Sequence, residues 1–230
     1  MTSNISIIIP TLNEGQNINA LKPLVKLVRE IIVVDGGSKD DTRKMAADLG
    51  FTVITSNKGR GTQLNHGAEK ASSPLLLFLH ADTILPLNFQ HLVENCLEDQ
   101  NIILGAFSLH IQTKSFLLQT ICKTANLRSR FLQLPYGDQA LFIRKTDFHA
   151  LSGFPRIPIM EDYIFVKRAG KKGKIQTLTQ SVQTSARRWQ KLGIIQTTCI
   201  NQLMIIGYHL GVPTEKLASF YRRGGVFRRR

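Results

Sequence analysis

Acidic residues are scarce in this 230-residue chain: 16 Asp and Glu stand against 30 Lys and Arg, for a formal charge of +14 and a pI near 10.1. Such an excess favours anionic partners: nucleic acid, phosphorylated small molecules or an acidic membrane surface. It does not choose among them. Cysteine is nearly absent. Cys96, Cys122 and Cys199 are far apart and form no Cys-x-x-Cys, which excludes a zinc ribbon and reads as reduced thiols in the cytoplasm. Long apolar runs are missing too. Ile5 to Ile9 is short and has no basic segment before it, so it is expected to be a strand and not a signal peptide. Leu192 to Val212 comes nearest to a membrane span. Gln196, Asn201, Gln202 and His209 interrupt it, and it falls short of the ~18 uninterrupted apolar residues a spanning helix needs. No repeat, low-complexity segment or linker-like stretch occurs. What is present is an ordinary globular composition, 43% hydrophobic, enough for a real core. The expected organisation is a catalytic domain over 1–190 and a helical extension over 191–230 with a basic tail, Arg222 to Arg230.

The first half alternates. Short apolar runs rich in β-branched residues, at Ile5–Ile9, Ile31–Val34, Thr52–Ile54 and Leu75–Leu79, are separated by segments of helical spacing at 17–28, 40–49 and 63–71. Continuous apolar strands between helices predict a parallel sheet covered on both faces. The second half is less regular. Strands are expected over 106–111, 140–143, 175–178 and 181–184, and helices over 116–130, 161–172, 192–210 and 214–221.

In open α/β sheets, ligands bind outside the carboxyl ends of the strands. Three of those ends carry an acid here: Pro10-Thr11-Leu12-Asn13-Glu14, Asp35-Gly36-Gly37-Ser38 and His80-Ala81-Asp82. Any one of them reads equally well as a helix cap. Three on one edge favour a ligand site. A carboxylate at a strand tip beside another polar group suits Mg²⁺ or Mn²⁺ bound together with a diphosphate. Lys58-Gly59-Arg60-Gly61 lacks the Gly-Lys-Ser/Thr of a P-loop. It is either a turn that presents Lys58 or Arg60 to phosphate, or a solvated basic turn. His66, His91, His110, His149 and His209 show no ligand spacing and read as structural or surface residues.

Pro10-Thr11-Leu12-Asn13-Glu14, Val34-Asp35-Gly36-Gly37-Ser38, Asn65-x-Gly67, His80-Ala81-Asp82 and Glu161-Asp162, in this order and spacing, resemble the family 2 glycosyltransferases of GT-A fold. The resemblance implies an α/β fold with a mostly parallel central sheet. It implies an inverting transfer of a hexosyl group from a nucleoside-diphosphate sugar, by family habit a UDP-sugar, to a hydroxyl acceptor. Glu14 and Asp35 match the acids that hold base and ribose, and Pro10, Thr11, Asn13, Gly36, Arg60 and Ala81 fall on the same donor side. Asp82 matches the last acid of the D-x-D motif, with His80 in place of the first, so the implied divalent metal (Mn²⁺ or Mg²⁺) would have Asp82 and His80 as ligands, or Asp82 alone. Asp162 matches the general base, and its neighbour Glu161 is expected to raise one carboxyl towards neutrality. Tyr136-Gly137-Asp138-Gln139 resembles the acceptor-side segment. Ser185-Ala186-Arg187-Arg188-Trp189 is similar to the Q-x-x-R-W motif of processive members with the Gln absent. Arg187 and Arg188 can neutralise a leaving diphosphate there, and Trp189 can stack on a sugar or base. The combined motifs look most like a bacterial subgroup associated with radical-SAM/selenodomain and arsenosugar clusters.

Two other functions compete. A sugar-nucleotide nucleotidyltransferase would carry a Gly-rich loop where this chain has Thr11-Leu12-Asn13-Glu14. A nucleic-acid-binding protein would explain the charge but not acids at three strand tips, which repel phosphates. The expected partners are therefore a nucleotide-sugar and a hydroxyl acceptor, not nucleic acid. The basic, apolar helices over 116–130 and 192–230 fit either an anionic membrane surface at the inner face of the membrane, or packing on the catalytic domain or on a second subunit of a homodimer.

Overall fold

The computed structural model describes residues 3–225, with the side chain of Arg188 and the tail residues 226–230 outside the described set. The chain opens with β1 (Ser3–Thr11), α1 (Gly15–Ile18), a 3-10 stretch over Asn19–Lys26, β2 (Val28–Asp35), α2 (Thr42–Asp48), β3 (Thr52–Thr55), α3 (Arg60–Lys70) and β4 (Leu75–Phe78). It continues through β5 (Thr83–Ile84), α4 (Phe89–Glu98), β6 (Ile102–Ile111), α5 (Phe116–Phe131), β7 (Phe142–Arg144) and α6 (Lys145–Ala150). It ends with α7 (Glu161–Ala169), β8 (Lys174–Thr184), α8 (Arg187–Leu192), α9 (Ile194–His209) and α10 (Thr214–Arg222).

The strands form one sheet of order β3-β2-β1-β4-β7-β6-β8-β5. β3, β2, β1 and β4 are parallel, as the continuous apolar runs predict. Beyond β4 the sheet is mixed: β7 runs antiparallel to both β4 and β6, and β6 pairs with β8 in parallel. One buried cluster, with Ile5, Ile7, Ile9, Val33 and Leu77, packs on one face, and a second, with Ile8, Ile32, Val34, Leu76 and Phe165, packs on the other. The alternation of Ile7 and Ile8 between the two clusters is the strand's two-residue period, with both faces covered.

Several elements differ from the sequence expectation. Residues 17–28 do not form one α-helix: Pro23 lies inside the segment, which winds as 3-10, and β2 begins at Val28. The two strands expected over 175–178 and 181–184 are one, kept paired with β6 across an irregularity between Ala106 and Ser108. The helix expected over 192–210 is α9, Ile194–His209, and a separate short helix, α8, precedes it across Gly193, which has φ 85°. α4 and α6 were not anticipated, although apolar residues of α4 recur at helical spacing, with Phe89, Val93, Cys96 and Leu97 buried.

The Asn65-x-Gly67 motif has a packing role. A Cβ at Gly67 would lie 2.4 Å from Ile8 Cγ2, so only glycine lets α3 rest on β1. Asn65 is buried and donates from Nδ2 to the Phe154 carbonyl at 2.8 Å. Its Oδ1 accepts from the Phe154 amide at 2.8 Å. This pair of bonds ties α3 to the chain just before the acids of α7.

Candidate active site

The loops at the carboxyl ends of β1 and β2 are sewn to each other. The Asn13 amide donates to Ser38 Oγ at 2.8 Å, and Asn13 Oδ1 accepts from the Lys39 amide at 2.8 Å. Gln63, buried on α3, donates to the carbonyls of Thr11 at 2.9 Å and Val34 at 2.7 Å and clamps both strand ends. Asp35 is fully buried. It accepts from Thr11 Oγ1 at 3.3 Å, from the Gly37 and Ser38 amides at 3.0 and 2.9 Å, and from Ser38 Oγ. The resemblance places this carboxylate on the nucleotide; here it turns inward and orders the loop. Gly36 is buried beside Gln63.

Asp82 is different. β4 ends at Phe78, and Thr83 N donates to the His80 carbonyl at 3.1 Å, closing a turn that lifts Asp82 off the sheet. The two residues of β5 then pair antiparallel with the end of β8, Thr83 opposite Thr184. That pairing carries the start of α8 to the same place. Arg187 Nη2 lies 2.8 Å from Asp82 Oδ2 and 3.3 Å from Glu14 Oε2, so one guanidinium joins the tips of β1 and β4. Both carboxylates act on Arg187 to keep it charged.

A second group of acids stands in the first turn of α7 and in the turn before β7. Asp162, in the first turn of α7, accepts from the Gly137 amide through Oδ2 at 2.7 Å and from the Tyr163 amide through Oδ1 at 2.7 Å. A Cβ at Gly137 would stand 3.0 Å from Asp162 Oδ2, so the contact depends on glycine. Glu161 is buried, and Arg60 Nη1 lies 3.8 Å from its Oε1. Burial first and Asp162 second raise the Glu161 carboxyl, against Arg60. The neighbouring acid is therefore the lesser cause of a shift that the sequence attributes to it alone. Asp138 is pushed up to about 6, chiefly by burial, with Arg128 opposing and Asp162 adding. Burial and the Arg60 charge push the His80 imidazole down to about 3, so it is neutral at physiological pH.

One cavity of about 520 Å³ holds these groups together. Arg60, His80, Asp82, Tyr136, Asp138, Glu161, Asp162, Arg187 and Trp189 line it, all of them residues the sequence singles out. Glu14 meets it only through Arg187. Pro10, Thr11, Asn13, Asp35, Gly36, Ala81, Gly137 and Gln139 are not in its wall. Gln139 is fully buried: it donates to the Phe107 carbonyl at 2.9 Å and to Ser129 Oγ at 3.1 Å, and anchors the loop that carries Tyr136 and Asp138. Arg128 sits 3.5 Å over the Tyr136 ring. Lys58 is exposed and outside the wall, whereas Arg60 is inside it. Arg188 is outside the described side chains. Trp189 Nε1 is buried with no hydrogen-bond partner among the described residues.

Sequence reasoning missed part of the wall. Asn201, Met204 and Ile205 of α9, with Tyr221 and Arg222 at the end of α10, line the same cavity as Asp82. Met204 and Ile200 share a buried cluster with Met160 and Tyr163, and Tyr163 Oη is 2.7 Å from His209 Nε2. The C-terminal helices are thus part of the site. The signal available in the sequence was the density of apolar residues in 192–210, which marks a helix with more than one side to cover.

Among the described residues no cluster of three or more His, Cys, Asp and Glu could hold a metal ion by itself. Asp82 with the neutral His80 is a two-residue donor set in one cavity. That set fits a hard cation arriving with diphosphate oxygens and water, and does not fit a preformed cage.

The family model described as glycosyl transferase family 2 matches residues 6–153. Glucosyl-3-phosphoglycerate synthase of Mycobacterium tuberculosis (strain H37Rv) is 33% identical over 96 residues, 36% of this chain and 30% of the synthase. Poly-beta-1,6-N-acetyl-D-glucosamine synthase of Staphylococcus aureus (strain COL) is 29% identical over 100 residues, 40% of this chain and 24% of that protein. The matched part thus spans less than a third of these curated relatives. Among solved structures, the M. tuberculosis glucosyl-3-phosphoglycerate synthase in complex with Mg²⁺ and UDP superposes with a TM-score of 0.61 at 22% identity, over 87% of this chain and 78% of that one. The same synthase with Mn²⁺, UDP and glucosyl-3-phosphoglycerate gives a TM-score of 0.59 at 22% identity, over 87% and 79%. At such identity the likeness shows a shared GT-A fold.

Proposed function

This chain belongs to glycosyl transferase family 2, and from that premise we propose that it moves a hexosyl group from a nucleoside-diphosphate sugar to a hydroxyl acceptor, with inversion at the anomeric carbon. The observation that carries the reading is that Asp82, Arg187 and Asp162 line a single cavity, with Glu14 joined to Asp82 through Arg187. We take the donor to be a UDP-sugar, since the superposable synthase complexes hold UDP with Mg²⁺ or Mn²⁺. Within the family we place the chain in the radical-SAM/selenodomain and arsenosugar-associated subgroup, on His80-Ala81-Asp82, Gly137-Asp138-Gln139 and Ala186-Arg187-Arg188-Trp189.

The chain's own residues divide the work. Glu14 receives the nucleoside, and Asp35 keeps the adjoining loop in shape. Arg187 leaves its two carboxylates for the diphosphate and neutralises the charge that grows on it. A divalent cation held by Asp82 and His80 would supply further Lewis-acid neutralisation of the same diphosphate. Asp162 accepts the proton of the acceptor hydroxyl as that oxygen bonds to the anomeric carbon. The bond from that carbon to the diphosphate oxygen breaks, and its electron pair leaves with the nucleoside diphosphate. The two backbone N–H groups on Asp162 fix its direction, which direct displacement requires. The Trp189 N–H is a spare donor for a sugar hydroxyl.

Calorimetric titration of UDP, GDP, CDP and dTDP and their sugars, with and without Mn²⁺, tests the donor side. One nucleotide should bind, and Asp82→Ala should weaken it. Asp162→Asn should abolish transfer and keep donor binding. Transfer that survives in Asp162→Asn removes Asp162 as the base, and no nucleotide binding at all removes the proposal.

A further inference from the structure

Helix α9 has no Asp, Glu, Lys or Arg and carries apolar residues on opposite sides, yet it lies on the surface. Its inner side, Thr197, Ile200 and Met204, is buried. The opposite side is open: Ile195 is 70% exposed, Leu203 48%, Ile206 53% and Leu210 77%. These four positions, with the exposed Cys199, fall on one stripe of the helix, interrupted only by Gln202. A helix apolar on opposite sides is normally enclosed, so this stripe lacks its cover among the described residues.

A second apolar surface adjoins it. Leu118, Ile121 and Cys122 of α5 share one cluster with Ile194 at the start of α9. From that junction Phe116, 80% exposed, and Leu117, 46% exposed, continue the apolar surface onto α5.

The charge around the patch has one sign. No acid occurs between Gln112 and Phe131, and Lys114 and the exposed Lys123 stand at the Phe116 end of α5; Arg128 and Arg130, further along, are turned to Tyr136 and Ser108. α9 carries no Asp, Glu, Lys or Arg. Lys191, exposed, lies one turn before Ile195. The end of α10 folds back to the same end of α9, since Gln196 Nε2 donates to the Gly224 carbonyl at 2.7 Å, which brings the exposed Arg223 to that end of the patch. Glu215 is the sole acid from Ser185 to Gly225.

We propose that the outer stripe of α9 and the adjoining end of α5 form a docking surface for an anionic lipid bilayer, in which the helix lies in the headgroup plane. An apolar stripe rimmed by cations and free of acids matches that surface in both hydrophobicity and charge. It does not match a second copy of this chain, whose facing patch would bring the same cations against these. Docking is parallel to the surface, because no helix among the described residues is long and apolar enough to cross a membrane. The inner side of α9 walls the cavity through Asn201, Met204 and Ile205. One helix therefore faces both the bilayer and the acceptor end of the site. On the transferase reading, this favours a hydroxyl acceptor borne by the membrane.

The test is flotation of the full chain with vesicles of phosphatidylcholine alone and vesicles of phosphatidylcholine with an equal part of phosphatidylglycerol. It does not depend on transferase activity. Binding is expected to the anionic vesicles and to weaken with added salt. Leu203→Ser with Ile206→Ser should lower the affinity by about tenfold or more, the loss expected when two leucine-sized side chains no longer bury. Lys191→Glu with Arg223→Glu, both changes on exposed side chains, should lower it as well without touching the apolar stripe. Nucleotide binding in each variant serves as the check of folding. Absence of binding to either vesicle overturns the proposal, as does binding unchanged by both pairs of substitutions. A homodimer in light scattering that Leu203→Ser with Ile206→Ser dissociates, with no vesicle binding, overturns it in favour of a second copy.

Discussion

Replacing Arg187 by Met separates structural from functional reasons for its contacts. The guanidinium bonds Asp82 at 2.8 Å and Glu14 at 3.3 Å. Its side chain is 42% exposed, against 20% for Asp82 and 25% for Glu14. Ion pairs this open to water contribute roughly 0–1 kcal/mol each. The substitution keeps the aliphatic stem, so the expected loss of stability is about 1 kcal/mol, or about 2–4 °C in Tm for a chain of this size. Catalysis should suffer far more. Loss of one group aimed at developing charge costs about 10²–10³ in kcat. The guanidinium also sits on the carboxylate that would hold a cation, so its removal should tighten nucleotide-free Mn²⁺ binding. The assays are thermal melting, steady-state transfer with UDP-sugar donors, and Mn²⁺ titration followed by electron paramagnetic resonance. A kcat within about threefold of the wild type, below the range for a charge-stabilising group, would refute the assignment of Arg187 to the diphosphate. A Tm drop several times larger than expected, with kcat intact, would make Arg187 a structural strut between β1 and β4.

Asp138 should impose a pH dependence. Its carboxyl titrates near 6, above its unfolded value, so it is protonated below that pH and charged above it. Transfer is expected to rise through about pH 6, and Asp138→Asn should remove that limb from the kcat/KM profile. The same shift has a stability sign: its contribution is full below the ordinary carboxylate range and lost as pH rises through about 6. Asn65→Ala leaves the buried N–H and C=O of Phe154 without partners. It should cost about 2–4 kcal/mol in urea unfolding, and a loss under ~0.5 kcal/mol, the level of an ordinary surface change, would contradict the clamp. Gly67→Ala forces a methyl to 2.4 Å from Ile8 Cγ2 and should cost about 1–3 kcal/mol by overpacking, read by the same method.

The parallel half of the fold was legible because its cause is local. Ile5–Ile9, Ile31–Val34 and Leu75–Leu79 are apolar without alternation, which only a sheet covered on both faces accommodates. The acids at their tips were visible in the sequence, but a strand end does not expose whatever follows it: Asp35 is buried in its own loop. Gly67 and Asn65 carried a correct signal whose meaning, packing of α3 on β1 and on Phe154, needed the neighbours. The 3-10 stretch around Pro23 was a local signal too, hidden by helical spacing on either side.

The sequence was enough for the four parallel strands, the acids at three strand tips and the excess of positive charge. Each follows from residue identity and short-range periodicity. Which of these acids line the cavity depends on contacts between distant segments. Asp35 and Asp82 look alike in sequence, but Thr11, Gly37 and Ser38 turn the first inward, while the β5–β8 pairing brings Arg187 to the second across 105 residues of chain. The same holds for α9, whose apolar residues divide between a buried side, a cavity wall and an open stripe. Those assignments depend on contacts between distant segments, and no local pattern encodes them.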